Sequence, residues 1–79
     1  MPITISDHAK IQLKKRKISQ KLIMDTAKNP SEILNSYKNR RLRRKAIGDK
    51  ILQAVTITEG SRITIVSGYY LRRRGKYEN

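Results

Sequence analysis

Two strand candidates, Leu42 to Ile47 and the largely apolar and β-branched Ile51 to Thr58, stand on either side of the dipeptide Gly48-Asp49. Glycine reaches a positive φ at no steric cost, and a two-residue loop of this kind matches the right-handed twist of the strands it joins, so the segment predicts a β-hairpin. A second break at Glu59-Gly60-Ser61 precedes Arg62 to Tyr70, where Ile63, Thr64, Ile65 and Val66 favour an extended chain. Upstream, Ile33, Leu34 and Tyr37 lead into a turn at Lys38-Asn39-Arg40, which adds a fourth strand. Consecutive hairpins make an antiparallel meander the simplest topology.

The first thirty residues read differently. Ser6 and Asp7 suit a helix start, because a short side-chain oxygen accepts an orphan N–H and a carboxylate favours the positive end of the helix. That helix is predicted from Asp7 to about Lys17, with Ala9, Leu13 and the stem of Arg16 on its buried side and Lys10, Lys14 and Lys17 outside. Ser19 caps a second helix carrying Leu22, Ile23, Thr26 and Ala27, which stops before Asn29-Pro30 because the residue preceding proline resists helical geometry. The expected order is α-α-β-β-β-β, an α+β fold of two N-terminal helices on a four-stranded antiparallel sheet. Residues 1–79 are read as one domain, with an ordered core over about 5–70 and a basic C-terminal tail over 71–79.

Nineteen Lys or Arg against six Asp or Glu give a net charge of +13 on 79 residues. An excess of that size argues about partners, with nucleic acid the first and an anionic membrane surface the second. No stretch approaches the ~20 apolar residues of a spanning helix, and the amino terminus lacks the apolar centre of a secretion signal, so a soluble cytoplasmic protein is expected. Cysteine is absent, which removes disulfides, thiolate zinc sites and thiol nucleophiles together. No glycine-rich phosphate loop, metal-ligand cluster or pair of carboxylates stands out, so no cofactor is expected.

His8 is the only histidine, and imidazole is the natural proton shuttle near neutrality; it shares a helix side with Gln12 and Lys15. It equally suits a surface position that completes the helix start. Arg40, Arg41, Arg43, Arg44 and Lys45 form the densest run of cations, and alternation along a strand places Arg43 and Lys45 on one face and Arg44 on the other. They read either as a phosphate cradle or as a charged edge that discourages sheet-to-sheet pairing. Ser67 and Tyr69 flank Gly68 and share a face, so Tyr69 offers a phenol proton or a stacking surface, though tyrosines also simply cap cores. Because the RNA 2′-hydroxyl is an internal nucleophile, a protein cleaving RNA without metal supplies only a base, an acid and cations. His8, Arg43, Lys45 and Tyr69 are the candidate catalytic set, with Lys15, Arg40, Arg41, Arg44, Ser67, Arg72 and Arg73 as candidate nucleic-acid contacts.

The succession Ser6-Asp7-His8-Ala9, Arg16-Lys17-Ile18-Ser19, Asn29-Pro30, a basic hairpin and Ser67-Gly68-Tyr69 resembles a bacterial and archaeal family of small uncharacterised domains grouped with the RelE, ParE and BrnT toxins. The resemblance spans roughly residues 5 to 70. It implies a compact fold of two helices against an antiparallel sheet. It also implies a toxin-like ribonuclease whose site is lined by His8, basic strand residues, Ser67 and Tyr69. The arginine usual early in the family's first helix is replaced here, with Lys10 and Gln12 the nearest polar residues. The leading expectation is therefore a metal-independent endoribonuclease that binds RNA on a basic sheet face and is neutralised by an acidic antitoxin. The alternatives are a non-catalytic nucleic-acid-binding module or a protein-interaction domain.

Overall fold

The computed structural model describes residues 2–72. Its elements are β1 (Ile3–Ile5), α1 (Asp7–Lys15), α2 (Gln20–Lys28), β2 (Glu32–Asn35), β3 (Arg40–Ile47), β4 (Lys50–Glu59) and β5 (Arg62–Arg72). The strands form one mixed sheet in the order β1-β5-β4-β3-β2. The expected four-stranded antiparallel meander is corrected on two points: a fifth strand is present, and it runs parallel to β5, Ile3 opposite Ile63 and Ile5 opposite Ile65. Three residues carry too little periodicity to announce a strand, and their partner lies sixty residues away. Leu71 and Arg72, assigned to the tail by sequence, continue β5 opposite Ile51 and Lys50.

The local signals behave as their chemistry requires. Ser6 Oγ accepts from the Ala9 N–H at 3.1 Å and Ser19 Oγ from the Leu22 N–H at 3.0 Å, satisfying one orphan donor at each helix start. Helix α1 ends two residues before the predicted Lys17, which adopts φ 58°. Lys17 N–H then reaches Lys14 O and Ile18 N–H reaches Leu13 O, a Schellman closure that turns Ile18 into the core beside Leu13. Gly48 and Gly60, both at φ 61°, each open a two-residue hairpin loop.

Both helices cover one face of the sheet. Ala9, Leu13, Ile18, Ile23 and Ala27 pack there on Leu52, Ala54 and Ile65. A β-bulge decides what the other face receives. Val55 pairs with Ser67 but Thr56 with Ile65, so Val66 is an extra residue and the alternation of β5 reverses after it. Ile63 and Ile65 point to the helices before the bulge and Gly68 after it, which sends Ser67 and Tyr69 to the open face.

At Gly68 the sheet and the helices approach closely. A Cβ built there would lie 2.9 Å from Ile23 Cδ1 and 3.0 Å from Leu13 Cδ2, and both side chains are themselves fully buried. Gly68→Ala should lower stability by about 1–3 kcal/mol through overpacking. Urea denaturation reads this directly, and an unchanged midpoint would show that the two helices yield freely.

Candidate nucleic-acid interface

Alternation along β3 sets Arg41, Arg43 and Lys45 on the helix side and Arg40 and Arg44 on the open side. Arg43 is 8% exposed. Its Nε donates to Thr56 Oγ1 at 3.2 Å and a terminal nitrogen donates to Ala27 O at 3.2 Å, in the last turn of α2 where carbonyls lack helical partners. Burial, and then the charge of Arg41, hold the Arg43 guanidinium below the ordinary arginine range. Lys45 pairs with Asp25, and the hydrogen bonds from Lys45 and Asn29 hold the Asp25 carboxyl below its ordinary value. Two members of the expected catalytic set thus bind the sheet to α2 and are separated by the sheet from Tyr69.

The other two are drawn together at the α1–β5 edge. Beyond Ile65 the edge of β5 is no longer paired to β1, and α1 lies against it. One arginine nitrogen of Arg16 reaches Gly68 O at 2.8 Å and Gln12 Oε1 at 3.3 Å. Ser67 Oγ also lies 2.7 Å from Gln12 Oε1, and Gln12 Nε2 lies 3.0 Å from His8 Nε2. Guanidinium nitrogens only donate, so the Gln12 atom facing Arg16 is the oxygen and the one facing His8 is the amide nitrogen. Ser67 must therefore donate its proton to Gln12, and His8 Nε2 must accept. The arrangement selects an imidazole with its proton on Nδ1 and a bare Nε2.

A second amide imposes direction in the same way. Arg44 Nε donates to Gln53 Oε1 at 2.6 Å, which leaves Gln53 Nε2 to donate to the Tyr69 hydroxyl at 2.6 Å. The phenol oxygen is an acceptor in that bond, so its own proton is free for another partner. The Arg16 guanidinium stands over the Tyr69 ring, 5.6 Å from its centre. Arg44 has a further terminal nitrogen 3.8 Å from Glu32.

One polar chain therefore runs from His8 through Gln12, Arg16, Tyr69 and Gln53 to Arg44, with Ser67 as a branch. It unites His8, Arg44, Ser67 and Tyr69 of the sequence candidates. Lys15 is exposed in the last turn of α1 and Arg72 at the end of β5, while Arg40 and Arg41 line a cleft near the β2–β3 turn. Arg73 lies outside the described residues. Sequence reasoning assigned no role in the site to Arg16 or Gln53, although His8, Gln12 and Arg16 recur every four residues, the spacing of one helix face. For Gln53, the only signal is an amide in a strand otherwise rich in aliphatic and threonine residues.

A bare imidazole nitrogen, a donatable phenol proton and two guanidinium groups are the parts for proton transfer at a phosphodiester. Among the described residues, no three His, Cys, Asp or Glu side chains gather as metal ligands, and no helix is long and apolar enough to cross a membrane. The order of elements and this edge cluster define a small basic α+β domain. Residues 5–70 match the model of one such family, described as a domain of unknown function (DUF4258), and the chain belongs to that family. No curated protein and no solved structure matches it.

Proposed function

We propose that this chain is a toxin-like, metal-independent endoribonuclease that holds single-stranded RNA along its open sheet face and cleaves it at the α1–β5 edge. The polar chain from His8 to Arg44, hydrogen-bonded except where the Arg16 guanidinium stacks over the Tyr69 ring, on the surface of a protein of net charge +13, carries this reading. In the reaction, His8 Nε2 removes the proton of an RNA 2′-hydroxyl, whose oxygen attacks the adjacent phosphorus. The bond to the 5′-oxygen breaks, and the Tyr69 phenol gives its proton to that leaving oxygen. Arg16, over the Tyr69 ring, and Arg44, joined to the phenol through Gln53, offset the charge that builds on the phosphoryl oxygens. The products are a 2′,3′-cyclic phosphate and a 5′-hydroxyl. An acidic antitoxin would neutralise the cationic face, and growth arrest on expression, relieved by an acidic neighbouring gene product, would support that assignment.

A non-catalytic RNA-binding module is the second reading. It is favoured by the commitment of Arg43 and Lys45 to Thr56, Ala27 and Asp25 on the far side of the sheet. Incubating the purified chain with single-stranded RNA in chelator separates the two. Cleavage with cyclic-phosphate ends supports the nuclease, and bound but intact RNA supports the module. In both, about six phosphate contacts give a slope near −4 for log affinity against log salt on a single strand. Indifference to polyanions at low salt would dispose of both readings.

A further inference from the structure

We infer that the β2–β3 turn carries a separate nucleotide-phosphate site, in the cleft bounded by Arg41, Asn35, Asn39 and Thr58. The cleft holds about 300 Å³ and is also lined by Ser36 and Arg40. Thr58 stands opposite Ile63 on β4 while Gln53 stands opposite Tyr69, so the cleft lies about 17 Å along the strand from the edge cluster. The inference does not depend on cleavage at that cluster.

Three observations converge here. Thr58 Oγ1 is the one buried side-chain polar atom among the described residues with no hydrogen-bond partner, and such a group costs stability unless something supplies its bond. Arg41 lies on the same side of the sheet, and its charge falls on Arg43 rather than on an acid. Its guanidinium makes no ion pair among the described residues, the two acidic pairings there being Arg44 with Glu32 and Lys45 with Asp25. An anion with oxygen acceptors in the cleft would meet the charge of Arg41 and, on a turn of the buried Thr58 side chain toward it, would accept the hydroxyl's proton as well. Asn35 and Asn39 add groups suited to the edge of a base, and Tyr37, 74% exposed in the same turn, presents a ring for stacking. Lys38 and Asn39, at φ 59° and 61°, fix the turn that holds these residues. The ligand class is accordingly a phosphorylated nucleotide rather than phosphate alone.

Amide NMR titration of the full chain with 5′-AMP, adenosine and inorganic phosphate tests the site. AMP should shift the Asn35, Ser36, Asn39 and Thr58 amides saturably, adenosine should leave them unmoved, and phosphate should bind at least tenfold more weakly. Arg41→Gln should weaken AMP about tenfold. Thr58→Val should weaken it about fivefold while raising the thermal midpoint, because the unpaired hydroxyl is gone. A short oligouridine without terminal phosphate assigns the source: tighter binding than AMP at the same amides identifies an RNA chain, and weaker binding a free nucleotide. Shifts spread over the basic surface without saturation, or unaltered affinity in Arg41→Gln, would overturn the site. Uncleaved RNA alongside intact AMP binding would count against the nuclease and leave this cleft standing.

Discussion

Replacing His8 with alanine is expected to slow RNA cleavage in chelator by about 10²–10⁴-fold, the range over which a positioned base accelerates proton transfer. The expectation rests on direction as well as proximity. Arg16 fixes the orientation of the Gln12 amide, and that amide presents its N–H to His8 Nε2, so the nitrogen that would take the 2′-proton is the one kept bare. An incoming 2′-hydroxyl donates to the same lone pair and displaces the amide without any change of tautomer. His8 is exposed, and the Ser6 cap of α1 does not involve it, so the variant should fold and bind RNA as the native chain does. The predicted signature is a fall in kcat with little change in KM. Tyr69→Phe, which removes the phenol proton, should likewise lower kcat with little change in KM. Equal cleavage by native and His8→Ala protein would remove the imidazole from the reaction.

The bulge at Val66 is what makes this cluster possible. A regular β5 would continue the alternation of Ile63 and Ile65 and turn Ser67 and Tyr69 toward the helices, onto Leu13 and Ile23. The inserted residue reverses the faces, so Gly68, which lacks a side chain, meets the helices and the two hydroxyls reach the edge and the open surface. Selection of glycine at position 68 and the placing of Tyr69 in the site are two consequences of one backbone irregularity.

Much of the scaffold is written in local chemistry. Ser6 and Ser19 announce the helix starts, Asn29-Pro30 the end of the second, and Gly48 and Gly60 the hairpins, because each acts on backbone within a few residues of itself. Strand β1 escapes such reading, since Ile3-Thr4-Ile5 owes its state to pairing with the far end of the chain. The same contrast holds at the site. Alternation correctly predicts that Arg43 and Lys45 share a face while Arg44 takes the other, but it does not say which face the helices cover. That depends on where Leu52, Ala54 and Thr56 point, and these three turn the helix side toward Arg43. Chemical type made Arg43 and Lys45 catalytic candidates. Their surroundings give them different work, and Arg16, read as an apolar stem, stands over Tyr69 in their stead.

Arg43→Ala should therefore act on stability before it acts on RNA. The substitution removes two hydrogen bonds from a charged donor, each worth about 1.5–3 kcal/mol, and leaves Ala27 O at the end of α2 without that partner. Thr56 Oγ1 keeps its bond to Arg41 O, which limits the loss on that side. An overall cost of about 3 kcal/mol would consume most of the 3–5 kcal/mol that a core of this size supplies. At about 1 kcal/mol per molar urea, the midpoint falls by about 3 M. Arg43→Met fills much of the same volume without the donors and should fall between alanine and the native chain. If Arg43→Ala instead kept its urea midpoint and its helical signal while losing RNA cleavage, the guanidinium would have to reach substrate through α2. The division of labour between the two faces of the sheet would then fail.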